Sequence, residues 1–234
     1  MEERPDKAFI DADHMVYKFG FSNESIPILC SRLEEHLMEV VYIELQCGTY
    51  DAFITGKGNF RYELATTHPY KGNRKDTVRP PHYLPLRDKL VSLGATVSVD
   101  QEADDDVGIA STNSKGWIVH VDKDLDQLPG WHYNPKRKEK YYVTAEEGLK
   151  NFYIQILMGD RVDNIVGLDK IGPVKAAKLL NGLTKDHELY QAVKAAYESK
   201  EEPVERILEN GQLLWLSRYE GQRWEIPKEP DESI

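Results

Sequence analysis

Apolar positions alternate through Ala8–Ala12 and then give way to acids, which predicts a short strand ending at carboxylates. Leu29, Leu33, Leu37, Val40 and Val41 recur at helical spacing behind Ser25 and Pro27. One helix is therefore expected from Ser25 to about Leu45, with that face in the core. Ala52–Thr55 reads as a second strand, followed by a turn, GKGN. A polar, proline-punctuated loop over 68–82 carries Lys71, Arg74, Lys75 and Arg79. Next come an expected helix at Tyr83–Leu93 ended by Gly94, a strand at Ala95–Val99, a helix at Ala103–Ser111 and a strand at Trp117–Val121. Strands alternating with helices in this way point to a mainly parallel α/β sheet.

The pattern then turns helical. A basic run, Lys136–Lys140, reads as a solvated hairpin and precedes a strand at Tyr141–Val143. Thr144 and Glu147 have capping-box spacing and open a helix that should run to Met158 and stop at Gly159. The segment GLDKIGPVKAAKLLNGL predicts a tight turn, then a helix with Pro173 at its first position and Gly182 past its end. Helices at about Lys185–Ser199 and Pro203–Leu216 follow, and PKEPDESI is expected to be a disordered tail. The expected division is a core over 1–158, a helical part over 159–226 and the tail over 227–234.

No apolar run among the 234 residues approaches the roughly 18 of a membrane span. The start lacks a basic-then-apolar leader, and the two cysteines, Cys30 and Cys47, cannot build a disulfide framework. A cytoplasmic protein is expected. The formal charge of −10 taken alone argues against a nucleic-acid partner. Yet eleven acids fall in four clusters: Asp11 and Asp13; Glu102, Asp104, Asp105 and Asp106; Asp122, Asp124 and Asp126; Asp160 and Asp163. The rest of the chain is close to neutral, so position matters more than the total.

Three of these clusters follow predicted strands, and parallel strands end on one edge of a sheet, where open α/β folds place their sites. Asp160 and Asp163, just after a helix, are expected to face the same patch. A close carboxylate pair costs about 4 kcal/mol at 4 Å in an effective dielectric near 20, so cations are expected among them. Many oxygen donors suit two Mg²⁺ or Mn²⁺ ions, and no Cys/His cluster is evident that would suit zinc. Two such ions would make a phosphodiester-cleaving site. Taken singly, any one cluster reads more readily as acids that cap helices and solvate loops; three clusters at three strand ends do not.

In PYKGNRK, Tyr70 can stack on a base while Lys71 and Arg74 hold a phosphate. Around IVGLDKIGPVKAAKLL, glycines let the backbone approach a phosphate or a monovalent cation beside Lys170, Lys175 and Lys178. A solvated basic loop and a plain helix hairpin are the alternatives for these two segments.

Together, FIDADHMVY, PYKGNRK, QEADDDVG, VDKDLDQLPG and GDRVDNIVGLDKIGPVKAAKLL resemble, in order, the flap endonuclease / 5′→3′ exonuclease family, nearest its short bacteriophage exonuclease branch. The resemblance spans about residues 8–182. It implies a PIN-like core and a helix–three-turn–helix that grips duplex DNA. Asp11, Glu102, Asp104, Asp105, Asp122, Asp124, Asp160 and Asp163 would be metal ligands. Lys71 and Arg74 would contact the scissile phosphate, and Tyr70 would stack near the 5′ end. Gly167, Ile171 and Gly172 would shape a turn that usually binds K⁺, with Lys175 on the nucleic acid. The implied reaction is Mg²⁺- or Mn²⁺-dependent hydrolysis at DNA 5′ ends or flaps, leaving 5′-phosphates, with RNA–DNA hybrids as further substrates.

Two departures qualify this picture. Many relatives carry an aspartate at the end of the second strand, where this chain has Thr55 and Gly56; Asp51 precedes that strand, which leaves Asp13 as the substitute. Only 27 residues separate Arg74 from Glu102, so the arch that threads flaps in longer relatives should be short or absent and exonuclease action should dominate. Two other readings stay open: a DNA-binding module of this fold that has lost catalysis, and a ribonuclease of the wider PIN class, which would not need the helix–three-turn–helix.

Overall fold

The computed structural model describes residues 4–74 and 77–228. Lys75 and the last six residues of the expected tail lie outside them. The chain forms two compact units, the first from residues 1–59, 77–143 and 216–220, the second from 60–76, 144–215 and 221–234.

The first unit is built on a six-stranded sheet. Its strands are β1 (Lys7–Asp11), β2 (Thr49–Ile54), β3 (Thr96–Val97), β4 (Trp117–Val119), β5 (Gly130–Asn134) and β6 (Glu139–Val143), in the order β3-β2-β1-β4-β5-β6. All neighbours are parallel except β5 and β6, which form an antiparallel hairpin. The sequence pattern anticipates the mainly parallel sheet and β6, but not β5. Its inward positions include His132 and Asn134, both buried, so the segment lacks an apolar alternation.

Alternation on β1 sorts the two faces. Ala8 and Ile10 join one cluster with helices α1 (Asp13–Gly20), α2 (Ile26–Met38) and α4 (Tyr83–Ser92), through Met15, Val16, Leu29, Leu33, Leu37, Leu86 and Leu90. Phe9 points the other way, onto Val107 of α5 (Ala103–Asn113), Leu125, Leu128 and Leu216. The long helix expected to Leu45 changes character at Glu39, where six residues, Glu39–Glu44, wind as a π-helix. Val40 and Val41 are still buried there. Between Arg74 and Glu102, the described residues contain only α4, β3 and their connections.

The second unit is helical. It holds α3 (Arg61–Leu64), α6 (Ala145–Met158), α7 (Pro173–Leu179), α8 (Asp186–Glu198) and α9 (Glu205–Leu214), with a two-stranded ribbon of β7 (Gly159–Asp160) and β8 (Ile165–Val166). The expected capping box forms: Glu147 N–H donates to Thr144 Oγ1 at 3.1 Å, and Thr144 N–H donates to the Glu147 carboxylate at 2.8 Å. Segment 60–74 belongs here because Arg61, 1 % exposed, donates to the carbonyls of Leu213 and Trp215, both at 2.8 Å. Thr66 and Thr67 add N–H and O–H donors to the Glu209 carboxylate. Among the described residues, no helix is long and apolar enough to cross a membrane.

Candidate nuclease site

In the first unit the acids gather where the parallel strands end. Asp11 closes β1, and its Oδ1 accepts the Asp13 N–H at 3.2 Å. Asp13 Oδ2 accepts the N–H of Thr55, just past β2, at 3.0 Å, while Arg87 lies 3.5 Å from its Oδ1. Thr55 Oγ1 in turn accepts the Ala103 N–H at 3.0 Å, tying β2 to the start of α5. Asp13 thus stands beside Thr55, at the second-strand end where the resemblance leads one to expect an aspartate. Asp51 lies within β2 and pairs with Lys7 at 2.6 Å. At Gly56 a Cβ would fall 2.1 Å from the Ser98 carbonyl oxygen, so no side chain fits there.

Glu102 is the N-cap of α5, and Asp104 and Asp105 lie in its first turn. Asp122 precedes the 3₁₀ turn Lys123–Gln127 and caps it by accepting the Asp124 N–H at 3.0 Å. The carboxyl of Asp11 is pushed up to about 8, first by burial, then by the charges of Asp13, Asp122 and Glu102. Asp13 is raised as well, chiefly by burial, with hydrogen bonds from Thr55 and the charge of Arg87 opposing. These acids sense one another, and an oxygen-only donor set under such repulsion fits hard divalent cations.

Asp105 differs from its neighbours. It is fully buried, and its two oxygens accept the N–H groups of Glu102 at 3.2 Å and Ser217 at 3.0 Å. Those bonds tie the start of α5 to the 216–220 segment.

In the second unit, Asp160 ends β7 and its Oδ1 accepts the N–H groups of Val162 at 2.6 Å and Asp163 at 3.3 Å. Asp163 is the hub of the basic loop. Tyr70 donates to Oδ2 at 2.8 Å, Arg74 Nη2 lies 2.5 Å from Oδ1, and Lys71 Nζ lies 3.7 Å from Oδ2. Lys71 N–H also donates to the Asp163 carbonyl at 2.8 Å, with Lys71 in the left-handed region at φ 53°. A lysine held at a conformation that side chains disfavour marks a loop fixed by its contacts. Tyr70 is 3 % exposed, packed in the second unit's core, and its hydroxyl reaches out of that core to Asp163.

Gly159 and Gly167 let the β7–β8 ribbon close on the end of α6. A Cβ on Gly167 would sit 2.1 Å from the Met158 carbonyl carbon. Ile171 is buried in the unit's core, Gly172 caps α7, and Lys175 is exposed on the first turns of that helix.

The structure also gathers a set that the motif reading does not bring together, two histidines beside Asp126 of the third acidic cluster. His120, Asp126 and His132 bring their ligand atoms within 4.8 Å of one another, contrary to the expectation of no histidine cluster. The even spacing of His120, Asp126 and His132 was a signal in the sequence, hidden because β5 was not anticipated.

No protein-family model matches the chain. It is 35 % identical over 156 residues to DNA polymerase I of Bacillus caldotenax, covering 55 % of this chain and 17 % of that one. It is 28 % identical over 230 residues to DNA polymerase I of Bacillus subtilis, covering 82 % and 25 %. The chain thus spans a quarter or less of the length of these curated relatives. Among solved structures, a bacteriophage T5 flap endonuclease in a pseudo-enzyme-product complex with DNA and metal ions superposes with a TM-score of 0.69 at 17 % identity, covering 89 % of this chain and 88 % of that one. The catalytic core of Rad2 in complex with DNA substrate gives 0.52 at 12 % identity, covering 88 % and 73 %. The chain therefore has the mostly parallel, PIN-like fold of the T5 flap endonuclease and the Rad2 catalytic core, and it resembles the flap endonuclease / 5′→3′ exonuclease family in motif order as well as in fold.

Proposed function

We propose that the chain is a divalent-metal-dependent phosphodiesterase that removes nucleotides from the 5′ ends of duplex DNA, leaving 5′-phosphates. The observation that carries this reading is the carboxylate set at the strand ends of the first unit, where the Asp11 carboxyl is pushed up to about 8 by burial and by its neighbours' charges. Asp11, Glu102, Asp104, Asp122 and Asp124 would hold divalent ions there, with Asp13 in place of the second-strand aspartate. In the second unit, Asp160 and Asp163 would offer oxygens to a divalent ion as well. Mg²⁺ or Mn²⁺ so bound would lower the pKa of a water and neutralise phosphate oxygens.

The chain's own cations do the rest. Lys71 and Arg74, held by Asp163, bind the scissile phosphate and stabilise the charge that builds on it. Gly167, Ile171 and Gly172 shape a turn that grips the duplex backbone as a helix–three-turn–helix with K⁺ bound, and Lys175 meets a phosphate. With only α4 and β3 described between Arg74 and Glu102, action on 5′ ends outweighs cleavage of long flaps. RNA paired to DNA is a second substrate, and the cytoplasm is the working compartment.

Thr55 and Gly56 at the second strand end favour one other reading, a DNA-binding module of the same fold without catalysis. A 5′-labelled duplex, blunt or with a single-stranded 5′ flap, separates the two. The proposed enzyme releases labelled 5′ nucleotides in Mg²⁺ and none in EDTA, faster from the blunt end. Binding without release in Mg²⁺ or Mn²⁺ would establish the module.

A further inference from the structure

The strongest feature outside the nuclease site is a pair of buried histidines in the first unit whose ring nitrogens conflict. His120 Nδ1 meets the Asp122 carbonyl oxygen, and His132 Nε2 lies 2.8 Å from the Leu128 carbonyl oxygen. A carbonyl only accepts, so each of those nitrogens carries the ring's proton. The remaining nitrogens, His120 Nε2 and His132 Nδ1, then both present lone pairs, and they face each other at 2.8 Å. The Tyr141 hydroxyl also lies 3.3 Å from His120 Nε2, but its one proton goes to the nearer Asp126 Oδ1 at 2.7 Å, so it leaves the conflict between the two rings in place. Two lone pairs at hydrogen-bond distance repel, and a positive centre must lie between them.

We propose that His120 Nε2, His132 Nδ1 and Asp126 Oδ1 form a tetrahedral site for Zn²⁺ or a similar transition-metal ion, separate from the oxygen-only carboxylate set. Zinc–nitrogen bonds of about 2.0–2.1 Å in tetrahedral geometry put ligand atoms about 3.3 Å apart. The observed separations bracket that value: 2.8 Å between the nitrogens, and 3.8 and 3.9 Å from Asp126 Oδ1 to His120 and His132.

The outer groups have the arrangement that metal-bound histidines use. Each imidazole donates its far N–H to a backbone carbonyl, which fixes the tautomer and aims the free nitrogen, and Tyr141 steers the carboxylate. A shared proton is the competing positive centre. It would leave an imidazolium in a place where His120 and His132 are 1 % and 0 % exposed, a costly location for a charge with a single carboxylate beside it. The fourth position opens on a cleft of about 290 Å³ also lined by Lys136 and Arg137, so a water or small anion completes the tetrahedron. The ion would clip β5 and the 3₁₀ turn to the end of β4, at the segment that presents Asp122.

The test uses the full chain stripped with EDTA and returned to excess Mg²⁺, which fills oxygen-only sites, then titrated with Co²⁺ and Zn²⁺. One equivalent of Co²⁺ should give the intense visible absorption of four-coordinate cobalt, and one of Zn²⁺ should displace it. X-ray absorption of the zinc form should show two imidazole ligands. H132Q should weaken zinc binding about 100-fold or more. D126N, at a partly exposed side chain, should weaken it about tenfold while the chain stays folded. A weak, six-coordinate cobalt spectrum, all-oxygen coordination of zinc, or native affinity in D126N would overturn the proposal. So would imidazole nitrogen resonances that report a shared proton and do not move when Zn²⁺ is added.

Discussion

Raising the pH of the metal-free protein from about 5 to about 8 should destabilise it relative to its D11N variant, because the comparison cancels the opposing titration of the buried histidines and leaves Asp11. In the folded chain its carboxyl is raised from 3.8 to about 8, by burial first and then by Asp13, Asp122 and Glu102. In the unfolded chain the same group loses its proton near 4. Between these values the folded state holds a proton at Asp11 that the unfolded state has released, so this group's contribution to stability falls as pH rises. It is fully present below about pH 4 and lost as pH climbs toward 8. One proton gives a slope of about 1.4 kcal/mol per pH unit, or roughly 4 kcal/mol over three units as an upper bound. Urea unfolding at several pH values, in EDTA and in Mg²⁺, reads this directly. The expected result is a native midpoint that falls relative to that of D11N as pH rises in EDTA, a smaller difference in Mg²⁺, and a D11N midpoint that Mg²⁺ raises less. A native-minus-D11N difference in EDTA that stays level across this range would refute the argument that these carboxylates are crowded enough to need cations.

Three further perturbations have defined outcomes. K71A should lower the rate of 5′-end cleavage roughly 100-fold or more while duplex affinity changes little, as single-turnover assays would report; unchanged cleavage would remove Lys71 from the reaction. K175A should weaken duplex binding and reduce the slope of log affinity against log salt by about one unit, measured by fluorescence anisotropy. G167A places a Cβ 2.1 Å from the Met158 backbone, which cannot yield as a side chain could. A loss of about 3 kcal/mol or more is expected, a fall in Tm of about 6 °C or more by thermal unfolding.

Much of the fold is legible where a local pattern meets a local cause. The capping box at Thr144 and Glu147 and the leucine spacing of α2 depend on neighbours a few residues away, and both form as read. Strand β5 is not legible, because His132 and Asn134 are buried through partners that the sequence does not announce. The same blindness hides the histidine cluster. The inclusion of 60–74 in the helical unit rests on Arg61 reaching Leu213 and Trp215, some 150 residues away, and no periodicity reports such a bond. At the candidate site, the sequence supplies the acids but not their partners. Asp13 beside Thr55, Asp105 turned to the backbone and Tyr70 turned to Asp163 are outcomes of tertiary hydrogen bonding.

The central claim is that the clustered carboxylates serve a divalent-metal-dependent phosphodiesterase reaction. Its most direct test compares the native chain with D122A and D160A on a 5′-labelled blunt duplex in Mg²⁺, measuring cleavage and duplex binding in the same samples. The account predicts rapid release of 5′ nucleotides by the native chain, and loss of release with binding retained or tightened in each variant. Native-level cleavage by either variant, or no cleavage by the native chain while it binds the duplex, would contradict it.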